Sequence, residues 1–447
     1  MISYLPEIYP DELVYSWFCR YYVHSGCLTH KMALDDILYK RCNNPSKEFL
    51  GHLNPDMQKK IQEILPIETL ILQHTMFPQY ARFIPLESKK KAMYHLVYDF
   101  KDVHHLFAVL PRTDTDRYLK YCPLCSEEDR RKYGETYWHR NHQIRGMQVC
   151  YKHNCMLESS DITAKSEQTF TFCPAEEYAI KRNARGINNA PSRSFAEYLT
   201  AAFNAPFDFE KDIPISSVFY YAMADTQYIT STGKTRFTKR LADDLKAFYK
   251  GIGIGIGNIA SIHQIQRVLL GDRFDFSVIC QIAFYLGMSI KDLTAPEITK
   301  AEIEKEQATH YMKDKIPLDW QTLDDELSIV LEEMARDIYN GSATVRPERV
   351  SERLIYRELE LSAHRLENLP KCRAIFERYT ESYEDNWARR IVWAYHKLKA
   401  ERKDKPFYWS DIRLISGVKK KNIEKVIPLI WKYTDRKTGK IIIRLIE

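Results

Sequence analysis

Apolar residues recur at helical spacing over most of this chain. Close to its start, Leu13, Trp17 and Tyr21 lie four positions apart behind Asp11, a residue suited to begin a helix. The stretch from 379 to 402 repeats this pattern, with apolar side chains along one helical face. The IIIRLI of residues 441–446 has the composition of a strand instead. The pattern therefore predicts a mainly α fold.

Breaks in the pattern divide the chain into several predicted domains, with helix-turn-helix units arranged around a small cysteine-rich module. The predicted segments are an N-terminal helical, helix-turn-helix-like domain (1–118), the cysteine-rich module (119–160), an irregular linker or subdomain (161–212), a central helix-turn-helix-like domain (213–295), a C-terminal helical domain (316–400) and a basic helix-turn-helix-like unit (405–447). The third segment is assigned as irregular because Ser, Asn and Pro are frequent in it. For the N-terminal helix pair, a scaffold role is favoured over DNA contact.

The most specific chemical signal is a pair of metal-binding half-sites in the cysteine-rich module. Cys122 and Cys125 form a C-x-x-C pair, and after twenty-four further residues Cys150 and His153 form a C-x-x-H pair. Zinc takes four thiolate or imidazole ligands in a tetrahedron, and two such pairs supply all four. We therefore predict one structural Zn²⁺ ion in a zinc-ribbon-like module, with no coordination position left open for a substrate water.

Alternatives to this ligand set remain open from the spacing alone. His139, His142 or Cys155 lies close enough in sequence to replace one ligand. The four residues could also be ordinary core or surface side chains without a metal. The remaining cysteines show no paired spacing, which is typical of a reducing cytoplasm rather than of a disulfide framework.

Composition favours a soluble globular protein, since 45% of the residues are hydrophobic and 28% are charged. The N-terminus lacks the basic and apolar regions of a signal peptide, and no run of about eighteen apolar residues occurs. We therefore expect a cytoplasmic protein. The net charge of +6 is uneven, because residues 401–447 carry thirteen Lys and Arg against six Asp and Glu. A basic end predicts a polyanionic partner, with a solvated lysine-rich tail as the alternative.

The basic end also has the layout of a helix-turn-helix unit with a partial wing. We predict that Ser410 caps a short helix, that Ser416 and Gly417 form the turn, and that a second helix follows. The first turn of that second helix carries four candidate DNA contacts, Lys419, Lys420, Lys421 and Asn422. Lysines at this position would contact DNA phosphates, and an asparagine could hydrogen-bond to adenine. The alternative is a helix start that only faces solvent. The predicted strand at 441–446 would form the wing.

Two further groups of basic residues are candidates for DNA contact. Arg236, Lys239 and Arg240 lie at the start of the second helix of the central pair. Arg389 and Arg390 lie beside the apolar stripe of the long helix that covers residues 379–402.

Motifs for nucleotide binding and for zinc catalysis fail at specific positions. The STGKT of residues 231–235 lacks the first glycine of a phosphate-binding loop, where Tyr228 stands. The glycines of 251–257 fit no frame of a dinucleotide-binding loop. A zinc deaminase needs H-x-E, and no histidine here is followed two positions later by glutamate. We therefore expect a non-enzymatic protein, with a carboxylate nuclease as the alternative.

Several stretches, taken in order, resemble the TniQ/TnsD family of bacterial transposon target-selection proteins. The zinc core of that family is similar to YCPLC…YGETYWHRNHQI…VCYKHNCML (121–157). Its N-terminal helix is similar to DELVYSWFCRYYVHSG (11–26), and the aromatic motif that follows is similar to HTMFPQYARF (74–83). The central repeat of the family is similar to SVICQIAFYLGMSIKDL (277–293). The C-terminal domain of the TnsD branch is similar to LPKCRAIFERYTESYEDNWARRIVWAYHKLKAE (369–401).

This resemblance implies a non-enzymatic role in transposition. TnsD-like proteins bind a specific double-stranded DNA attachment site and recruit the AAA+ regulator TnsC, which brings in the transposase. Many members of the TniQ branch instead join TnsC to a CRISPR effector complex and lack the long C-terminal part. The TnsD-like stretch and the basic end favour direct DNA binding here. Residues 183–249 match poorly, so no base-reading residue is carried over to them.

Overall fold

The computed structural model describes residues 4–39, 47–99, 118–164, 171–180, 182–187, 189–230, 236–272, 274–309, 320–342, 346–358, 365–402 and 406–446. The STGKT stretch lies outside these ranges. Within them the chain is predominantly helical, which confirms the predicted mainly α fold. None of the helices in these ranges has the length and apolar character needed to cross a membrane.

The chain divides into two compact units between Leu318 and Asp319, and the finer domain boundaries inside each unit stay a prediction. The helices of the N-terminal unit are Val14–His24, His30–Ile37, Pro55–Gln62, Ile67–His74, Phe77–Ala81, Leu86–Tyr94, the π-helical turn His95–Asp99, Pro123–Tyr133, the 3-10 turn Asn141–Gln143, Ala175–Tyr178, Ala190–Asn204, Ile215–Ala222, Thr238–Gly251, the 3-10 turn Ile256–Asn258, Ile262–Leu269, Phe276–Tyr285, Ile290–Thr294 and Lys300–Thr309.

Two antiparallel strands, Tyr118–Tyr121 and Glu158–Thr163, form a small sheet in this unit. Tyr121 pairs with Glu158 in the ladder. The pairing therefore holds the two ends of the cysteine-rich module together, because one strand ends directly before Cys122 and the other begins three residues after Cys155.

One continuous hydrophobic core organises the N-terminal unit. It extends in sequence from Leu13 to Leu293 and includes the N-terminal helices, the cysteine-rich module and the central helices. Trp17 and Trp138 are completely buried in it, and the Trp138 indole donates to Cys173 O at 2.9 Å. Burial of a large apolar side chain contributes roughly 1.5–3 kcal/mol. The cysteine-rich module is thus a structural part of this core.

The segment expected to be irregular contains a buried helix, Ala190–Asn204. Asn189 caps this helix through its side-chain oxygen, which accepts a hydrogen bond from Ser192 N at 3.3 Å. Pro191 stands in the first turn, where no backbone N–H is needed. Phe203 is completely buried on the helix face that meets the core. The expectation was wrong here because residues that are common in loops also form good helix starts.

The central helices pack closely against the cysteine-rich module at Gly146. This glycine has a φ of +79°, and a Cβ placed on it would lie 2.7 Å from Ser277 Oγ. Both the backbone conformation and the lack of space therefore require glycine. The contact joins the segment between the two half-sites to the helix Phe276–Tyr285.

The C-terminal unit has its own helices and its own core. The helices are Trp320–Asn340, Glu352–Glu358, the 3-10 turn Arg365–Asn368, Pro370–Tyr379, Tyr383–Arg402, Trp409–Ser416, the 3-10 turn Lys420–Asn422, Ile423–Val426, the 3-10 segment Ile427–Lys432 and Arg436–Ile446. The core is built from the predicted apolar face of the long helix, including Ile391 and Leu398, together with Ile412, Ile430 and Ile442.

The predicted strand and wing at 441–446 were wrong, because these residues belong to the helix Arg436–Ile446. Asp435 caps the helix by accepting from Lys437 N at 2.8 Å. Gly439 lies so close to the Trp431 ring that a Cβ would approach it to 2.6 Å. Capping and this tertiary contact therefore override the strand propensity of the isoleucines.

Candidate metal centre and basic surfaces

The two half-sites meet at the end of the small sheet. Cys122 is the N-cap of the helix Pro123–Tyr133, and its sulfur accepts from Cys125 N at 3.5 Å. Cys150 lies in a tight turn in which its backbone N–H donates to Cys155 O at 2.8 Å. The helix start and the turn therefore bring both pairs of side chains to one point.

The ligand atoms of Cys122, Cys125, Cys150 and His153 all lie within 4.8 Å of one another. The sulfurs of Cys125 and Cys150 are 3.8 Å apart, and His153 Nδ1 lies 3.3 Å from the Cys125 sulfur. A tetrahedral zinc ion with Zn–S bonds of about 2.3 Å has S–S edges of about 3.8 Å. The spacing of three thiols and one imidazole therefore fits one metal ion, and these donors suit zinc.

An acidic residue next to the cluster orients the histidine. Glu128 Oε1 lies 3.0 Å from His153 Nε2, so the ring donates this N–H and presents its Nδ1 lone pair to the sulfurs. Carboxylates commonly hold imidazole ligands in this way. Glu128 was missed at the sequence level, although its position one helical turn after Cys125 places it beside the half-site.

Two of the three alternative ligands lie at the edge of the cluster. Cys155 Sγ is 3.4 Å from Cys122 Sγ, and His142 Nε2 is 3.7 Å from Cys125 Sγ. Both alternative ligands are buried. Cys155 and His142 therefore each remain an alternative to one of the four ligands, because the side chain of each contacts a sulfur of that set.

The third alternative, His139, is held by carboxylates instead of sulfurs. Its Nε2 lies 2.8 Å from Asp129 Oδ2, and its Nδ1 lies 3.8 Å from Asp11 Oδ2. Burial alone would lower the pKa of His139, but its contacts with Asp11 and Asp129 raise it to about 9. His139 therefore links the cysteine-rich module to the N-terminal segment as a charged group.

We expect the His139→Gln variant to lose stability in a pH-dependent way. The folded-state pKa lies above the ordinary value of 6.5, so the contribution of His139 is complete below about pH 6.5 and is lost as the pH rises through about 9. The difference in unfolding free energy should therefore be about 3 kcal/mol at pH 6 and should shrink towards pH 9. Urea unfolding at several pH values measures it. The exposed His396→Gln variant is the control, and a pH-independent difference for His139 would contradict the assignment.

The N-terminal helix is also hydrogen-bonded directly to the module. Leu13 N donates to Trp138 O at 2.9 Å, and Trp138 N donates to Ser16 Oγ at 2.9 Å. The first bond satisfies the N–H of the residue that precedes the helix Val14–His24, and the second satisfies the backbone N–H of Trp138 in the module. The cysteine-rich module and the first helix are therefore one structural element.

Two of the candidate DNA contacts are buried in ion pairs, contrary to expectation. Arg236 and Arg389 are each 7% exposed. The guanidinium of Arg236 contacts Glu306 at 2.6 Å, and that of Arg389 contacts Glu381. A buried guanidinium held by a carboxylate is not available to a phosphate, so both arginines are structural within their units.

The other basic candidates reach solvent. Lys239 and Arg240 are exposed in the first turn of the helix Thr238–Gly251. The three lysines of 419–421 are exposed as well, and Asn422 is half-buried. Instead of one long second helix, the residues after the turn form the 3-10 and one-turn helical pieces given above, since Pro428 interrupts the helix.

A pair of arginines lies beside the turn at Gly417. This glycine has a φ of +65°, and a Cβ on it would lie 2.7 Å from Arg390 Nη2 and also against Arg346. Arg346 Nη1 donates to Ser416 O at 3.4 Å, and Arg390 Nε has no partner among the described residues. Burial and then Arg346 lower the pKa of Arg390 to about 10. The two guanidiniums therefore concentrate positive charge directly before the lysines.

Comparison with known proteins finds similarity in the N-terminal part of the chain. Residues 3–157 match the model of the TniQ family, and this range contains all four candidate metal ligands. A stretch of 155 residues is 28% identical to the transposon Tn7 transposition protein TnsD of Escherichia coli. That match covers 34% of this chain and 30% of the length of the relative. Residues 3–157 of this chain are therefore similar to the TniQ family.

Proposed function

We propose that this chain is a transposition target-selection protein of the TnsD type. It binds a specific double-stranded DNA attachment site through helix-turn-helix units and recruits an AAA+ regulator of the TnsC kind, which brings in the transposase. The observation that carries the proposal is the match of residues 3–157 to the TniQ family, together with the similarity to TnsD.

The C-terminal unit supplies the basic surface that the proposal needs. The lysines at 419–421 are exposed, and the described part of the chain places no carboxylate in ion-pair contact with them. They follow a helix-turn element, Trp409–Ser416 with its turn at Gly417. In helix-turn-helix proteins, cationic side chains that follow the turn contact the phosphates of the DNA duplex. Lys239 and Arg240 offer a second contact of this kind from the N-terminal unit.

The metal site supports a structural role. Cys122, Cys125, Cys150 and His153 provide four protein donors, which complete a tetrahedral shell and leave no open position for water. Zinc bound there would cross-link the helix Pro123–Tyr133 to the turn at Cys150. We therefore assign no catalytic step to this centre.

Selection of bound fragments from a host genome tests the proposal. The full chain, purified without a guide complex or regulator, is mixed with fragmented genomic DNA at physiological salt, and the retained fragments are sequenced. One enriched sequence that also shifts in a gel supports the proposed attachment site.

A CRISPR effector adaptor is the second candidate function, since the matched family range ends well before the basic unit. An adaptor would enrich no sequence in the fragment selection and would shift no duplex until a guide complex is added. That outcome would replace the first proposal with the second.

The Arg390→Gln variant should bind the selected site more weakly, because it removes one of the two guanidiniums beside the turn. We expect the slope of log K against log salt to fall by roughly 0.9, the value for one phosphate contact. Arg373→Gln is the matched control, because Arg373 is exposed in the same unit and already pairs with Glu377 at 3.0 Å. Equal slopes for the two variants would remove Arg390 from the DNA surface.

A further inference from the structure

A cavity of about 540 Å³ opens in the N-terminal unit where distant stretches of the chain meet. Its lining includes Asp11 from the first stretch of family resemblance, His74 and Arg82 from the second, and Arg140 from the cysteine-rich module. The C-terminal end of the helix Ala190–Asn204 closes the remaining side. Neither the metal site nor the basic surface uses this cavity.

Positive charge at this cavity exceeds the negative charge beside it. Arg82 is 2% exposed, and its guanidinium donates to the carbonyl oxygens of Phe203, Ala205 and Pro206 at 2.7–3.0 Å. Among the described residues, no carboxylate forms an ion pair with it, and its Nε has no hydrogen-bond partner. Burial lowers the pKa of Arg82 to about 10, as expected for a cation without a counter-charge.

The second guanidinium, that of Arg140, lies near Asp11, the single carboxylate among the described residues that line the cavity. Arg140 is 5% exposed and donates to Leu72 O at 2.6 Å and to the Asn204 side chain. Its Nε lies 3.7 Å from Asp11 Oδ1 and makes no hydrogen bond. Two arginines therefore face a single aspartate.

The histidine of the cavity is a neutral acceptor. His74 Nδ1 lies 2.7 Å from Glu12 O, and because a carbonyl oxygen only accepts, Nδ1 carries the proton. Burial lowers the pKa of His74, which keeps the ring neutral. No other hydrogen bond of His74 occurs in the described part of the chain, so Nε2 can accept an N–H from a ligand. The cavity thus combines a net positive charge with one acceptor.

The walls distinguish a protein ligand from a nucleic acid. Leu72, Phe203, Phe207 and three prolines line the cavity, and none of the described lining residues is a lysine. A phosphate backbone offers no N–H to His74 and is normally met by exposed lysines and arginines. An acidic residue of a peptide, flanked by apolar side chains, offers a carboxylate, an N–H and apolar surface together. The volume is within the range of ligand pockets, about 300–1,000 Å³.

We propose that this cavity is a docking site for a partner protein, occupied by an acidic residue with apolar neighbours, with Arg82 and Arg140 as its counter-charges. The carboxylate lies against the guanidiniums, and a backbone N–H of the segment donates to His74. The site goes beyond attachment-site binding, and it does not depend on whether the C-terminal unit binds DNA.

A peptide selection on the full-length protein tests the site. A phage-displayed library of random dodecapeptides is panned against the chain, and an enriched peptide is labelled with fluorescein for anisotropy. We expect enriched peptides to carry Asp or Glu beside apolar residues. Changing that acid to its amide should weaken binding about tenfold or more, the effect of losing a charge-assisted hydrogen bond. Selection without acidic enrichment would overturn the proposal.

Two variants with opposite expected signs separate binding from folding. Asp11→Asn removes the competing carboxylate, so the acidic peptide should bind more tightly, by about tenfold. Asparagine tolerates the left-handed conformation of Asp11, whose φ is +58°. Arg82→Gln should weaken binding about tenfold or more. Circular dichroism checks the folding of both variants, because Asp11 also contacts His139. Weaker or unchanged binding in Asp11→Asn, or displacement of the peptide by duplex DNA, would contradict the assignment. Binding of the selected attachment site, measured in parallel, should be unchanged in Asp11→Asn.

Discussion

The Cys122→Ser variant should lose its bound metal and fail to fold its N-terminal unit. Cys122 is completely buried, caps the helix Pro123–Tyr133 and contacts the other candidate ligands. Structural zinc contributes on the order of 10 kcal/mol in small zinc-finger peptides, which is comparable with the whole stability of an ordinary domain. Metal content per chain, measured by mass spectrometry on purified protein, should fall from about one to near zero. The C-terminal unit, which has its own core, should survive limited proteolysis.

Two further cysteine variants make this expectation specific. Cys280→Ser changes a completely buried thiol in the same core, far from the four ligands in sequence, and should keep one metal per chain. Cys155→Ser changes the sulfur next to Cys122. This variant should also keep one metal per chain if Cys122, Cys125, Cys150 and His153 are the ligands. Metal loss in Cys155→Ser would transfer one ligand position to that residue. One metal per chain in Cys122→Ser would refute the ligand set.

Replacing Lys419, Lys420 and Lys421 together by alanine should weaken binding to the selected attachment site. The loss of affinity should be similar for DNA duplexes of related sequence. These lysines are exposed and should contact phosphates, which position the protein without reading bases. Each lost contact reduces the slope of log K against log salt by roughly 0.9, so the triple variant should lose up to about 2.7. Anisotropy titrations of a labelled duplex over a range of salt concentrations measure both quantities.

A triple variant with the same charge change provides the control. Lys371, Arg373 and Arg378 lie in the same unit, but each contacts a carboxylate, Asp325, Glu377 and Glu332 respectively. Replacing these three by alanine removes equal charge from a different surface. If both triple variants lost the same slope, net charge rather than the turn would determine binding. An unchanged slope in the first variant would show that the C-terminal lysines do not contact DNA.

Local sequence is sufficient to predict the two pairs of candidate metal ligands, because a two-residue gap at a helix start or tight turn brings both side chains to one side. It is not sufficient to predict their surroundings. Cys155 and His142 approach the cluster, whereas His139 lies between two carboxylates, because of how the sheet and the N-terminal segment pack. Glu128 could have been predicted, since helical spacing connects it to Cys125.

The basic candidates show where local reasoning fails. Arg236 and Lys239 both lie at the start of one helix and look alike in the sequence. Only the fold brings Glu306, seventy residues away, to Arg236 and leaves Lys239 in solvent. Similarly, the isoleucines at the end of the chain have strand propensity, but the cap at Asp435 and the contact of Gly439 with Trp431 favour a helix.

By itself, the sequence determined the mainly helical fold, the two pairs of candidate ligands, the uneven charge and the resemblance of residues 11–157 to the TniQ/TnsD family. These properties depend on spacing over a few residues or on composition, which a linear pattern records. The tertiary structure alone decided which cations are buried and which are exposed. It also brought Arg346 beside Arg390 and placed Asp11, His74, Arg82 and Arg140 around one cavity. Each of these depends on contacts between distant positions, which arise only when the common core forms.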